Sequence, residues 1–363
     1  MADYLSLIIY IVIYGLSVFS ICYGIKENKR YIAMAGVIIP ALFSGLRYYV
    51  GTDYENYVAA FRMFKGVGIF KYLSNFAGEY EIGFYLLCKI ADIFGGERML
   101  FFISSLIILI LMFKFIESVD IELSLPIAYF IFLITSFTSS FNILRQIIAV
   151  SITMYGIKYV LEKDLKKYII CCVVACTFHI SALIVIPFYF IYDKENKSIK
   201  ISRKIFIGLI SAVVLSFFLP YVIGVVGSII PLFSKFSSYF GYGLGGKNRS
   251  FFVSLIEFTV LIILGSRLKE KDSKNTYFIF LLGVGLFLEF TGFYSIFLKR
   301  LAIYFTMPSF ILWAQIPLVL EDEKHKKYSQ ILIVLYRIFI FWLTCVLLKQ
   351  GQFIPYQLNL FKG

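Results

Sequence analysis

The sequence predicts an all-α polytopic membrane protein with about 10–12 transmembrane helices and re-entrant half-helices, because long apolar stretches recur along the chain. Of its 363 residues, 60% are hydrophobic and 16% are charged, and the mean hydropathy is +0.85. A soluble domain is about 45–50% apolar and about 25% charged. Short loops holding Lys and Arg separate the apolar stretches. Residues 1–363 are therefore predicted to form a single integral-membrane domain.

The net charge of +13 comes mostly from the loops between apolar stretches. In a soluble chain such a charge would suggest a nucleic-acid partner. Here the distribution follows the positive-inside rule, so the predicted partner is the lipid bilayer and no nucleic acid. The six cysteines lie within apolar runs, which favours buried small side chains over metal ligands or disulfides.

The first apolar run, residues 4–23, is followed by the basic loop 26–30, which we place in the cytoplasm. An uncleaved first span with its N-terminus outside follows from this asymmetry. The second span, residues 31–46, then delivers the polar segment 47–80 to the external face. Basic and aromatic residues are mixed over residues 58–80, which suits an amphipathic helix lying in the interface.

Eight further runs are predicted to span the membrane: residues 99–116, 123–138, 142–161, 206–228, 251–266, 277–293, 298–320 and 331–348. The basic loops 161–167, 267–274 and 321–327 are all predicted to be cytoplasmic.

The number of crossings keeps all of the basic loops in the cytoplasm only if residues 81–94 do not cross and residues 168–192 return to their starting side. The second segment is therefore predicted to be a re-entrant pair of half-helices with residues 177–181 near its tip. Broken helices at membrane depth are tolerated only where protein or a wet cavity covers them. Residues 229–250 form a predicted external loop, and its glycine run 241–247 lacks the strand and helix of a phosphate loop, which favours a flexible cover over a substrate.

A polar, aromatic cluster follows the second span, and it combines Arg47 and Asp53 with Tyr48, Tyr54 and Tyr57. A guanidinium group can bind two phosphate oxygens at once, and tyrosine rings pack on sugar faces while their hydroxyls form hydrogen bonds. The cluster thus suits a ligand that carries both phosphate and sugar. The alternative is an interfacial anchor, since tyrosines and extended arginines are common at bilayer edges.

Ionisable residues within predicted membrane segments point to function because burying them is costly. Arg145, His179 and Arg300 are such residues, and the predicted topology brings both arginines and Arg47 towards the outer leaflet, with His179 and Asp53 nearby. Three guanidinium groups repel one another, so they need several carboxylates or a shared polyanion such as a diphosphate. The alternatives are arginines that reach to lipid headgroups and a neutral histidine bonded across helices.

Short motifs in one order resemble the EpsG family of membrane proteins from exopolysaccharide and capsule clusters, which are similar in role to Wzy-type polymerases. The motifs are Gly45-Leu46-Arg47-Tyr48-Tyr49-Val50-Gly51-Thr52-Asp53-Tyr54-x-x-Tyr57, Arg145-Gln146, Phe178-His179-x-Ser181-Ala182-Leu183, Arg300-x-x-x-Tyr304-Phe305 and Ile354-Pro355-Tyr356.

The resemblance implies polymerisation of repeat units on the outer face of the bacterial cytoplasmic membrane. It implies a donor glycan on undecaprenyl diphosphate, an acceptor that is a lipid-linked repeat unit, and a GT-C-like architecture without a cofactor or nucleotide sugar. The sequence also lacks Asp-x-Asp, which argues against a metal-dependent glycosyltransferase. A chain-length regulator and a flippase are expected partners through this likeness alone.

The resemblance and the charge pattern together assign roles to individual residues. Arg145 and Arg300 are expected to stabilise the diphosphate, with Arg47 in support, and His179 or Asp53 to act as general base. The remaining residues are expected to bind substrate: Tyr48, Tyr54, Tyr57, Tyr304, Gln146 and Glu81. Two alternatives use the same polar residues: a transferase like the O-antigen ligases, and a transporter of lipid-linked oligosaccharide, although no internal repeat of the transporter kind is evident.

Overall fold

The computed structural model describes residues 2–77, 79–196, 198–199, 249–293 and 296–358, and most of them are helical. Within these ranges the β-structure consists of an antiparallel pair, β1 (Tyr192–Asp193) and β2 (Ser198–Ile199), and an isolated bridge between Arg47 and Leu358. The predicted all-α polytopic class is confirmed.

Nine α-helices precede this pair: α1 Ala2–Lys26, α2 Arg30–Leu46, α3 Tyr54–Phe64, α4 Ile69–Asn75, α5 Ile82–Phe94, α6 Glu97–Ser118, α7 Leu125–Phe132, α8 Leu144–Glu162 and α9 Leu165–Cys176. A π-helix, Leu133–Phe137, continues α7, and a 3-10 helix, Ile180–Phe190, follows α9.

Six α-helices are described after the pair: α10 Arg249–Ile263, α11 Gly265–Lys271, α12 Asn275–Thr291, α13 Ile296–Thr306, α14 Ser309–Gln315 and α15 Glu323–Phe341. The 3-10 helix Ile316–Val319 continues α14, the π-helix Trp342–Leu347 continues α15, and a short 3-10 helix covers Gln350–Gln352.

Four helical stretches in the described part are long and apolar enough to cross a membrane: Ala2–Lys26, Glu97–Ser118, Leu298–Val319 and Glu323–Leu347. A fifth span results if α10 and α11, which are bent by 60° relative to each other, are counted together. Four shorter apolar helices accompany them: Arg30–Leu46, Leu125–Phe137, Ile180–Phe190 and Asn275–Thr291. The predicted span 206–228 and nearly all of the predicted loop 229–250 lie outside the described residues, so the total of about 10–12 spans stays a prediction.

The chain divides into two compact units. The first consists of Met1–Val160, Asp164–Ile186 and Trp313–Gly363, and the second of Leu161–Lys163 and Pro187–Leu312. The single membrane domain predicted for the whole chain, and its GT-C-like arrangement, stay predictions.

Small residues bring the helices of each unit close together. In the first unit, a Cβ atom on Gly36 of α2 would lie 2.6 Å from the Ser17 carbonyl oxygen of α1. In the second, a Cβ atom on Gly285 of α12 would lie 2.6 Å from the Thr306 side chain of α13. Close approach at small residues is typical of helix packing in membranes, where apolar burial between helices gives little driving force.

Residues 58–80, whose composition predicts one interfacial helix, are divided between two short helices, α3 and α4. Gly66 has a φ of 77°, a conformation that interrupts a helix, and Gly68 precedes α4. The buried side of α3 carries Tyr54, Tyr57, Phe61 and Phe64, spaced as on one face of a helix. The helix α3 therefore packs within the first unit through aromatic side chains.

The helical chain is broken within the segment predicted to be re-entrant. Helix α9 ends at Cys176, and the 3-10 helix begins at Ile180. Residues 177–179 connect them at the place where the tip is predicted. The return of this segment to one side of the membrane stays a prediction.

Candidate active site

Three chain segments that are distant in sequence meet in the first unit: residues 47–51, residues 141–145 and the C-terminal strap, residues 350–358. The backbone amides of Tyr48 and Gly51 donate to the carbonyls of Gln357 and Gln352, each at 2.9 Å. The Asn142 side-chain amide donates to the Gly351 carbonyl at 2.9 Å. Hydrogen bonds thus join the three segments in which three of the motifs of the family resemblance lie.

Gly51 fixes how closely the first two of these segments approach. Its φ of 99° lies in the region that favours glycine. A Cβ atom here would lie 2.6 Å from the Asn142 Oδ1 atom and 2.8 Å from the Phe141 carbonyl oxygen. A side chain at this position would therefore separate the Arg47 segment from the start of α8.

Arg47 lies directly after α2 and is only 2% exposed. Its Cζ atom is 4.2 Å from the ring centroids of both Phe101 and Phe141. Its three guanidinium nitrogens are buried, and no hydrogen-bond acceptor for them lies among the described residues. Burial lowers the pKa of Arg47 to about 10, so the group stays charged at neutral pH. The first unit thus holds a buried cation that lies against two aromatic rings.

Tyr57 organises the start of α8. Its hydroxyl donates to the Asn142 carbonyl and accepts from the Leu144 amide, both at 2.8 Å. Burial raises the pKa of Tyr57 to about 12, so the hydroxyl remains a donor at neutral pH. Because Leu144 precedes Arg145, this hydroxyl positions the first turn that carries the arginine. The sugar contact expected of Tyr57 stays a prediction.

The other tyrosines of the segment form an aromatic cluster. Tyr54 is buried and stacks on Phe101 with ring centroids 5.1 Å apart. Tyr48 and Tyr49 meet edge to face at 4.4 Å, and Tyr49 is 50% exposed. Tyr49, which belongs to the motif but is not among the predicted site residues, therefore presents more surface to a ligand than Tyr54 does.

An ion pair links α8 to the segment before α5. The Arg145 Nη1 atom lies 2.5 Å from the Glu81 Oε2 atom, and the two side chains are 22% and 21% exposed. The guanidinium also lies over the rings of Tyr80 and Phe84, at 5.1 and 5.6 Å. The Glu81 Oε1 atom accepts from the Ile180 backbone amide at 3.3 Å. Glu81 therefore connects Arg145 to the break that contains His179.

The backbone of α5 is fastened to the same break. The Gly83 amide donates to the Thr177 carbonyl at 2.7 Å. A Cβ atom on Gly83 would lie 2.7 Å from both the carbonyl oxygen and the hydroxyl of Thr177. Only glycine fits this contact without displacing the turn.

His179 is half-buried, and its Nδ1 atom faces its own turn. This nitrogen accepts from the Ser181 backbone amide at 3.3 Å and lies 2.6 Å from the Ser181 hydroxyl. A backbone N–H can only donate, so Nδ1 is the acceptor and the neutral ring carries its proton on Nε2. His179 is consequently arranged as a hydrogen-bond donor through Nε2.

Asp53 directly precedes α3, half-buried, with its Oδ1 atom 3.5 Å from the Asn56 side-chain nitrogen. Gln146 is buried on α8. These residues belong to the first unit, as do the other predicted site residues except Arg300 and Tyr304. Those two lie on α13 of the second unit, where Arg300 is exposed and Tyr304 is buried. Among the described residues, no group of three or more His, Cys, Asp or Glu side chains could hold a metal ion.

Sequence reasoning missed the two rings that enclose Arg47. Phe101 lies in the apolar helix α6, and Phe141 lies shortly before α8. Nothing local distinguishes these two from the other phenylalanines among the 40 of the chain. The contact between Glu81 and Arg145 could have been suspected, because each stands out as a charge beside an apolar run.

The model of the EpsG family matches residues 30–358, nearly the whole chain. No curated protein and no solved structure matches the chain.

Proposed function

The chain belongs to the EpsG family of Wzy-like polymerases, and from this premise we propose that it is a membrane polysaccharide polymerase. It transfers a growing glycan from undecaprenyl diphosphate to a lipid-linked repeat unit, without a metal ion. The reaction takes place at the outer face of the bacterial cytoplasmic membrane. Family membership and the apolar helices support this proposal, and the arrangement around Arg145 carries it to particular residues.

The donor bond lies between the anomeric carbon and a diphosphate oxygen, and negative charge develops on that oxygen as the bond breaks. A fixed guanidinium group in a site of low dielectric stabilises such charge without reorganising. Arg145 is held by the start of α8, by Glu81 and by two aromatic rings, so its position is set before the substrate arrives. We assign the leaving diphosphate to Arg145.

The other basic residues would support the same anion. His179, arranged as an Nε2–H donor, would donate a hydrogen bond to a phosphate oxygen. Arg47, which shares the Phe101 ring with Tyr54, would supply further positive charge. The diphosphate contact expected of Arg300, on α13 of the second unit, stays a prediction. The half-buried ring of Tyr48 and the exposed ring of Tyr49 would contact sugar, and the sugar contact expected of the buried Tyr304 stays a prediction. The chain-length regulator and flippase remain expected partners through the family likeness.

The test is reconstitution of the purified protein in liposomes with the lipid-diphosphate-linked repeat unit and no nucleotide sugar. A ladder of products spaced by whole repeats supports the polymerase. We expect Arg145→Ala to reduce polymer formation by at least about 100-fold, the loss typical of removing a group that stabilises the transition-state charge. His179→Ala should reduce it by about tenfold or more, since one hydrogen bond to a charged group contributes about 1.5–3 kcal/mol.

Arg62→Ala is the matched control, because Arg62 also forms an ion pair in the first unit, at 3.1 Å to Glu97, but is largely exposed. Normal polymer from both Arg145→Ala and His179→Ala, at equal amounts of folded protein, would overturn the assignment of the site. If the wild-type protein makes no ladder, transfer to another acceptor identifies a ligase-like enzyme, and movement of the lipid between leaflets identifies a transporter.

A further inference from the structure

Glu81 occupies the junction of three elements that the proposed function uses. One carboxylate oxygen contacts Arg145 at the start of α8, and the other accepts from Ile180 at the start of the 3-10 helix. Glu81 itself directly precedes α5. About a fifth of its side chain remains exposed, so the carboxylate can be reached from outside the protein. It is both anchored and accessible.

The proposed reaction requires a base for the acceptor hydroxyl, and the geometry does not favour His179. The Nδ1 atom of His179 already accepts from the Ser181 amide, and the neutral ring then presents a proton at Nε2. Glu81, in contrast, is a carboxylate in direct contact with the arginine assigned to the leaving diphosphate. A base beside the leaving-group site lies close to the anomeric carbon that the acceptor must reach.

We propose that Glu81 is the general base, held by Arg145 until the donor binds. This inference rests on the proposed polymerase function. The donor diphosphate takes over the Arg145 guanidinium, and the Glu81 Oε2 atom is released while Oε1 keeps its bond from Ile180. Oε2 then accepts the proton of the acceptor hydroxyl as the acceptor oxygen bonds to the anomeric carbon. The bond from that carbon to the diphosphate breaks, and its electron pair leaves with the diphosphate.

The exchange of partners favours this order of events. While Arg145 contacts Oε2, that oxygen already has a partner. When the diphosphate takes over the guanidinium, Oε2 becomes available to the acceptor hydroxyl, and Oε1 remains held by Ile180. Carboxylate bases positioned in this way contribute about 10²–10⁴-fold to a reaction rate. Donor binding and acceptor activation are coupled through one ion pair.

The substitution Glu81→Gln tests the proposal, because the amide keeps the shape of the side chain and an oxygen for the Ile180 amide. We expect kcat to fall by about 100-fold or more. The donor KM should be unchanged or lower, because no carboxylate then competes for Arg145. Glu97→Gln is the matched control, since Glu97 is also a partly exposed partner of an arginine. Thermal unfolding of each variant measures whether it is folded.

The double variant Glu81→Gln with Arg145→Gln separates catalysis from simple ion pairing. Once the ion pair has opened, Glu81 acts on the proton of the acceptor and Arg145 on the leaving diphosphate, so the double variant should be slower than either single variant. A double variant no slower than Arg145→Gln alone, or a Glu81→Gln variant with wild-type kcat, would overturn the role of Glu81. These comparisons require a wild-type ladder. Its absence would instead refute the polymerase function and the inference with it.

Discussion

Arg47 is the residue whose presence is hardest to explain by stability. Moving a charged group into a protein interior costs several kcal/mol after relaxation, unless an opposite charge compensates. The two phenylalanine rings at 4.2 Å each return about 0.5–2 kcal/mol through cation–π attraction. No acceptor for its guanidinium nitrogens lies among the described residues. The cost of burying the charge exceeds the attraction of the two rings, which supports a functional reason for the charge.

The substitution Arg47→Met separates these two explanations. Methionine fills a similar volume between the rings and removes the desolvation cost, so the melting temperature should be unchanged or higher. Polymer formation should fall at least tenfold because this positive charge is lost. Thermal unfolding and the reconstituted polymerisation assay measure the two effects. A variant that is less stable but fully active per folded molecule would show that Arg47 is structural.

The sequence singles out the charged candidates of the site, but it does not show which partners the aromatic residues bind. Arg145 and His179 stand out because charge is rare and costly within an apolar chain. Tyr57 was predicted to bind sugar, yet its hydroxyl bonds the Asn142 carbonyl and the Leu144 amide. The partners of a hydroxyl are set by tertiary packing, which one sequence does not reveal.

At the scale of elements, the contact between the start of α5 and the break at residues 177–179 aligns the site. The Gly83 backbone amide donates to the Thr177 carbonyl in this break, and the Glu81 side chain accepts from the Ile180 amide directly after it. His179 and the ion pair are therefore held by the same junction. A change in the junction should affect activity more than it affects the fold.

The substitution Gly83→Ala tests this junction. Its Cβ atom would lie 2.7 Å from two Thr177 oxygens, so the turn must shift. Overpacking of this kind costs about 1–3 kcal/mol in the free energy of unfolding, and misplacing His179 should lower polymer formation further. Gly15→Ala in α1 is the control, because its Cβ atom meets nothing within 4 Å. Equal stability and activity in the two variants would mean that the junction tolerates the shift.

Charge parity predicts a re-entrant segment with its tip near residues 177–181, and the return of this segment to its starting side stays a prediction. The structure shows that the helical chain is broken there, between α9 and the 3-10 helix. The division of segment 47–80 into α3 and α4, and the pairing of the C-terminal strap with residues 47–51, were not predicted. Pairing between segments some 300 residues apart leaves no local signal, whereas loop charge is visible in the sequence itself.

At the scale of the whole molecule, the proposed function requires Arg47 and Arg145 to lie on the outer side of the membrane. The predicted topology places residues 47–80 outside and the basic loops 161–167 and 267–274 inside. The placement of loop 267–274 inside depends on residues 168–192 not crossing. If they crossed once, every later loop would be inverted, and Arg300 would move to the cytoplasmic side.

Cysteines added one at a time to the parent chain, and labelled with a membrane-impermeant maleimide, test this arrangement. Thr52→Cys, Lys166→Cys and Glu270→Cys each place a thiol at an exposed position, and the parent chain gives the background from its six free cysteines. We expect Thr52→Cys to be labelled in intact cells, and the other two only after the cells are permeabilised. Labelling at Glu270→Cys but not Lys166→Cys in intact cells would mean that residues 168–192 cross. Arg300 would then lie on the cytoplasmic side, and its predicted role in binding a diphosphate at the outer face would be excluded.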